Sequence, residues 1–374
     1  MPESTQQPFR EKNSFATGSK KKIIAVSLII IFLIGVLTVV YVLTARQSKA
    51  VNNGLTSPVS NFINDALPAS TPLPFFEITI PGLRERNYQS KLSDLQTVSQ
   101  NGGYTSYLTS YDSDGLDVFG QLTVPSGNQP IGGWPAIVFI HGYLQPSQYQ
   151  TLVNYNSYVD VLAGNGFVVF KIDLRGHAQS EGEPGGAYYS EDYVVDALNA
   201  YSALQSAEFV NREKVGFWGH SMAGNVVFRS FVVNQKIPAI VIWAGAGYTY
   251  SDLSEFGIDD NSYRPPPTDS PGRRKRQRLI DAYGAFSPES EFWKQVVPTN
   301  YLKNVGGSVQ LNHAVDDNVV SIQYSRNLVK ILSGSDINSE LNEYQSGGHN
   351  LTGPTFNQAM DNTVRFFKEK LGTK

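Results

Sequence analysis

The chain has 374 residues, 41% of them hydrophobic and 17% charged, which suits a large buried core and excludes a disordered chain. Lys and Arg number 30 against 33 Asp and Glu; a formal net charge of -3 gives no global attraction to nucleic acid. There is no cysteine, so thiol nucleophiles, disulfides and thiolate metal sites are excluded.

Residues 23–43, IIAVSLIIIFLIGVLTVVYVL, carry no charge over 21 positions. As a helix that is about 31 Å, the thickness of a bilayer core. Lys20, Lys21 and Lys22 stand directly before it, with Arg10 and Lys12 further back. The positive-inside bias predicts a cytoplasmic tail over 1–22, a single-pass transmembrane anchor over 23–43 and a polar linker over 44–72. The rest of the chain, 73–374, is then extracytoplasmic at the cell membrane. A cleaved signal peptide is the rival reading, although its apolar stretch is normally shorter.

FFEITI at 75–80 alternates weakly and predicts an edge strand. Residues 104–125 hold two β-prone runs around Asp114-Gly115, a hairpin signal. Five short apolar runs follow: PAIVFIHG, FVVFKIDLRG, KVGFWGHS, AIVIWAG and SVQLNHA. Runs of this kind read as buried parallel strands. Helical spacing falls between and after them, over 155–166, 190–205, 222–235 and 356–371, with Ser190 as an expected N-cap. Alternating strands and helices predict an α/β fold with a mostly parallel central sheet flanked by helices.

The interval 246–304 is too long for one crossover and predicts a small cap inserted into the domain. Its aromatics Tyr248, Tyr250, Phe256, Tyr263, Phe286 and Phe292 suit either a substrate pocket or plain packing of the cap. The run Arg273, Arg274, Lys275, Arg276 and Arg278 reads as a solvated helix start.

WGHSMAG at 218–224 sets Ser221 between a strand and a helix. A serine on such a turn is pushed out of the backbone envelope, and the helix N-terminus can receive negative charge. Gly219 permits the tight approach; Ala223 and Gly224 follow. A serine hydroxyl needs a base, and the base needs a carboxylate. Of five histidines, His349 stands in a glycine-rich loop before the last helix and can reach across the sheet end. His220 adjoins Ser221 and should point away from it. The acid should lie between serine and histidine; LNHAVDDNVV follows a strand and supplies Asp316 and Asp317 at its C-terminal end. Oxyanion donors are expected from the amides of Met222 and Tyr143, the Tyr143 hydroxyl being an alternative donor. His141 is expected to brace that loop, and Asp173 with Arg175 to brace another through an ion pair. No histidine pair or carboxylate cluster has metal-ligand spacing, so neither metal nor cofactor is expected.

At these residues the chain resembles the α/β-hydrolases, most closely the prolyl-oligopeptidase-like serine hydrolases, over roughly 104–372. IHGY resembles the oxyanion loop of that group, and DLRGHAQSEG its D-x-R-G-x-G-x-S segment. GHSMAG resembles the nucleophile elbow, NHAVDDNVV its H-G-x-x-D-x-x-V-P segment, and GGHN carries its histidine. Ala178, Ala223, Ala314 and Ser321 depart from the pattern. The resemblance implies a catalytic set of Ser221, Asp317 and His349, choosing Asp317 over Asp316. It also implies hydrolysis of a small-molecule carboxylic ester, of aromatic or short acyl groups. Two alternatives stand: a peptidase for short peptides, and a non-catalytic surface binding protein. No propeller fits between residues 43 and 104, which sets the chain apart from full-length oligopeptidases.

Overall fold

A computed structural model describes residues 73–372. Its strands are β1 (Gln96–Gln100), β2 (Tyr104–Ser113), β3 (Leu116–Pro125), β4 (Trp134–Ile140), β5 (Val168–Ile172), β6 (Val210–His220), β7 (Ala239–Trp243), β8 (Ser308–Ala314) and β9 (Asn338–Tyr344). Among the described residues they form one sheet in the order β1-β2-β3-β5-β4-β6-β7-β8-β9. β1, β2, β3 and β5 pair antiparallel in sequence, and the pairings from β5 through β4 to β9 are parallel. The sheet is therefore mixed, which corrects the mostly parallel expectation. The hairpin accounts for the difference: Asp114 and Gly115 both take positive φ, 58° and 80°, as a two-residue turn between twisted strands requires.

Alternate residues of each inner strand face opposite layers. Ala136, Val138 and Ile140 of β4 pack with Phe217, Ile240 and Ile242 beneath helices Asp192–Ser206 and Ala223–Val233. Ile137 and Phe139 pack with Trp218, Val241 and Trp243 beneath helices Asn156–Gly164 and Pro354–Lys370. Each such side chain contributes about 1.5–3 kcal/mol on burial. All five apolar runs form strands, and each of the four helical segments holds a helix.

Two elements differ from expectation. FFEITI forms a 3-10 turn, Phe76–Ile78, and leads into helix Ile80–Glu85. Thr79 caps that helix, its hydroxyl accepting from Gly82 N at 3.0 Å, and Pro81 fixes the first turn. Local capping thus outweighs a weak alternation. β9, NSELNEY, has no apolar run because it is an outer strand held by side-chain amides. Asn312 Oδ1 of β8 accepts from Tyr344 Oη at 2.7 Å and from Asn342 Nδ2 at 3.2 Å, and Gln310 Nε2 donates to Glu340 at 2.7 Å.

The 246–304 interval contains helices Ser251–Phe256, Pro271–Tyr283 and Glu291–Val296. Tyr250, Leu279, Phe292, Trp293 and Val296 give it an apolar cluster of its own, shared with Ile78. Tyr248, Tyr250 and Phe292 are buried, so packing accounts for them. The basic run lies on helix Pro271–Tyr283, where Lys275 pairs with Glu191 and Arg276 lies 4.3 Å over the Tyr189 ring.

The expected anchor at 23–43, with the tail before it and the linker after it, lies outside the described residues. Among the described residues no helix is long and apolar enough to cross a membrane. Against expectation, the described residues give no support to the membrane-anchored reading, nor to the membrane partner and the extracytoplasmic location derived from it.

Candidate active site

Every side chain of the site stands at the C-terminal end of the parallel strands. β6 ends at His220, and Ser221 follows with φ 56°, in the left-handed region that costs an L-residue strain. Ser221 N donates to Trp243 O of the next strand at 2.9 Å, which fixes the turn. A Cβ on Gly219 would lie 2.6 Å from Val227, so the strand can approach the helix only as glycine. Ala223 is fully buried at the start of helix Ala223–Val233. The close approach falls one residue later: a Cβ on Gly224 would lie 2.7 Å from Gly245.

Ser221 Oγ donates to His349 Nε2 at 2.9 Å, and His349 Nδ1 donates to Asp317 Oδ2 at 2.8 Å. The Asp317 side chain is fully buried and that of His349 is 15% exposed, so of this pair only the imidazole meets solvent. Burial would raise the Asp317 carboxyl, but hydrogen bonds from His313 and His349 hold it well below the usual carboxylate range. Its second oxygen accepts from Val319 N and Val320 N, both at 2.9 Å. Asp316 points elsewhere: it accepts from Gly348 N at 2.9 Å and so braces the His349 loop.

The Tyr143 and Met222 amides make no backbone hydrogen bond among the described residues. A Cβ on Gly142 would lie 3.1 Å from His220 O, so the Tyr143 loop lies against the elbow. The Tyr143 hydroxyl is engaged elsewhere, accepting from Arg264 N at 3.0 Å and donating to Arg264 O at 3.3 Å.

Sequence reading missed three supports. His313 Nε2 donates to Val320 O at 2.9 Å and lies 3.2 Å from Asp317 Oδ2, so the carboxylate sits between two imidazoles. The histidine in NHAVDD was the available signal. Tyr155 and His220 form the others. Gly142 N donates to Tyr155 Oη at 3.0 Å, Tyr155 Oη lies 2.8 Å from His220 Nδ1, and His220 Nε2 lies 2.9 Å from His349 O. A carbonyl only accepts, so His220 carries its proton on Nε2 and Tyr155 donates to Nδ1. One buried chain therefore ties the Tyr143 loop to the His349 loop. His141 Nδ1 donates to Gly142 O at 2.7 Å, bracing the same loop. The expected Asp173–Arg175 pair does not form. Asp173 accepts from Tyr149 and Thr151, while Arg175 pairs with Asp192 and Asp196.

Burial, with the neighbouring His349, pushes the His220 imidazole down to about 3. An unfolded histidine titrates near 6.5. Between those values the unfolded chain binds the extra proton, so stability falls as pH drops from about 6.5 towards 3. His141 and His177 are lowered by burial and act in the same direction; Asp173, raised by burial to about 6, opposes them. In urea titrations at pH 7, 5 and 4, His220→Gln is expected to flatten the acid loss by up to about 1.4 kcal/mol per pH unit. An unchanged slope would contradict the neutral buried imidazole.

Residues 135–254 match the family described as Serine aminopeptidase, S33. The chain is 26% identical over 223 residues to the Uncharacterized peptidase YtmA of Bacillus subtilis (strain 168), covering 59% of this chain and 76% of that protein. Among solved structures, Acetyl Xylan Esterase 1 from Thermoanaerobacterium sp. JW/SL YS485 superposes with a TM-score of 0.53 at 18% identity, over 78% of this chain and 90% of that one. A puromycin-hydrolyzing peptidase of Mycobacterium tuberculosis superposes with a TM-score of 0.56 at 17% identity, over 74% of this chain and 41% of that one. Its mixed sheet, its elbow and these superpositions give the chain an α/β-hydrolase fold, and over residues 135–254 it is similar to the serine aminopeptidase family.

Proposed function

We propose that the protein is a serine hydrolase that cleaves small carboxylic esters through an acyl-enzyme. The observation that carries this reading is the continuous line from Ser221 Oγ through His349 to Asp317, at 2.9 and 2.8 Å. Ser221 attacks the acyl carbon while His349 Nε2 takes its proton. The Tyr143 and Met222 amides receive the charge that develops on the carbonyl oxygen. His349 then protonates the leaving alcohol, and Asp317 stabilises the imidazolium formed in between. Water, deprotonated by the same imidazole, releases the acid and restores Ser221.

A second reading, cleavage of short peptides, is favoured by the aminopeptidase description of the matched family. The same groups serve an amide, whose poorer leaving group places more demand on proton delivery. The two readings separate by turnover of p-nitrophenyl acetate and butyrate against aminoacyl-p-nitroanilides. The ester reading expects the esters to turn over faster; faster amide turnover would overturn it. A fluorophosphonate probe is expected to label the wild-type protein at Ser221, and a well-folded protein that stays unlabelled would indicate a binding protein instead.

A further inference from the structure

The inserted interval touches the site at two separated points. Ile258 bridges to Val320, and Asp259 N donates to Val319 O at 2.9 Å, on the loop that carries Asp317. Five residues later, the main chain of Arg264 holds the Tyr143 hydroxyl, and the Tyr263 ring lies 5.1 Å from the Tyr143 ring. These anchors belong to the loops after β8 and β4, and the sheet order sets β6 and β7 between them. Three strand spacings amount to about 14 Å. Five residues reach at most about 17 Å when extended. A turn closed by Tyr263 N and Asp260 O at 3.1 Å shortens that reach, and the Tyr143 ring supplies the remainder. The segment therefore joins two loops whose strands lie on either side of the strand that leads into Ser221.

We propose that Ile258–Arg264 is a strap across the mouth of the site, latched by the Tyr143 hydroxyl, and that it selects esters with an apolar acyl group. This rests on the hydrolase reading above. Ile258 and Tyr263 are 41% and 48% exposed, and Val315 beside Asp316 is 40% exposed. Large apolar side chains of this exposure on both the strap and the facing loop leave apolar area for an acyl chain to cover. Tyr143 then has two tasks: its amide faces the reacting carbonyl, and its hydroxyl sets the height of the strap.

The test compares kcat/KM for p-nitrophenyl hexanoate and acetate in wild type, Tyr263→Ala and Tyr143→Phe. The hexanoate-to-acetate ratio is expected to fall at least about threefold in both variants, since each buried methylene counts for several-fold in binding. Ile131→Ala, an exposed apolar residue in the β3–β4 connection, is expected to leave the ratio unmoved. A ratio that is unchanged or rises in Tyr263→Ala and Tyr143→Phe would overturn the strap. Wild-type protein that neither hydrolyses the acetate nor takes up fluorophosphonate would instead overturn the hydrolase reading.

Discussion

Ser221→Ala is expected to lower kcat for p-nitrophenyl acetate by about 10⁴-fold or more and to abolish fluorophosphonate labelling. The change removes one oxygen and its bond to His349 Nε2, and little else. The strained φ of 56° is as accessible to alanine as to serine, and the Trp243 bond uses the backbone N–H. Thermal unfolding should therefore stay close to wild type, which separates loss of chemistry from loss of fold. Any residual turnover reports what the Tyr143 and Met222 amides and substrate binding achieve alone. A variant with wild-type turnover would mean that the hydrolysis occurs elsewhere.

Asp317→Asn should lower kcat by about 10⁴-fold with a smaller change in KM. The carboxylate accepts at once from His349, His313, Val319 N and Val320 N. An asparagine can keep the two backbone bonds through its carbonyl oxygen, but its NH₂ group then faces two imidazole N–H groups. Donor meets donor, and His349 is driven to the wrong tautomer. In the proposed mechanism the buried, ionised acid also stabilises the imidazolium, which an amide could not do. Unsatisfied donors in a buried place should cost about 2–4 kcal/mol of stability as well, measurable in urea. Asp316→Asn is the informative partner: its carboxylate contacts glycine amides at the rim, so a much smaller effect is expected. Equal effects of the two substitutions would contradict the division of labour.

The centre of the molecule was legible because its signals are dense and local. VFI, FVVFKI, VGFW and IVIW can bury both faces only as inner strands. A serine between Gly219 and a helix has few other uses. The edges were harder to read. Thr79 and Pro81 start a helix at the end of a stretch that resembled a strand, through one hydroxyl and one ring. β9 was unreadable because its partners, Gln310 and Asn312, lie some thirty residues away and pair by side-chain amide. A longer separation hid the His220–His349 contact: nothing near His220 announces that its imidazole faces a carbonyl 129 residues downstream. Asp316 and Asp317 could not be told apart by spacing; the family resemblance chose Asp317, and it is Asp317 that bonds to the His349 ring while Asp316 bonds to the Gly348 amide.

The imidazole proposed as the general base follows an outermost strand of the sheet. β9 has one neighbouring strand, few apolar contacts and a ladder of amides that water can replace. Outer elements of this kind open before the centre does. Under mild urea the imidazole should depart while Trp218 and Trp243 remain packed, so the protein is disarmed well before it is denatured.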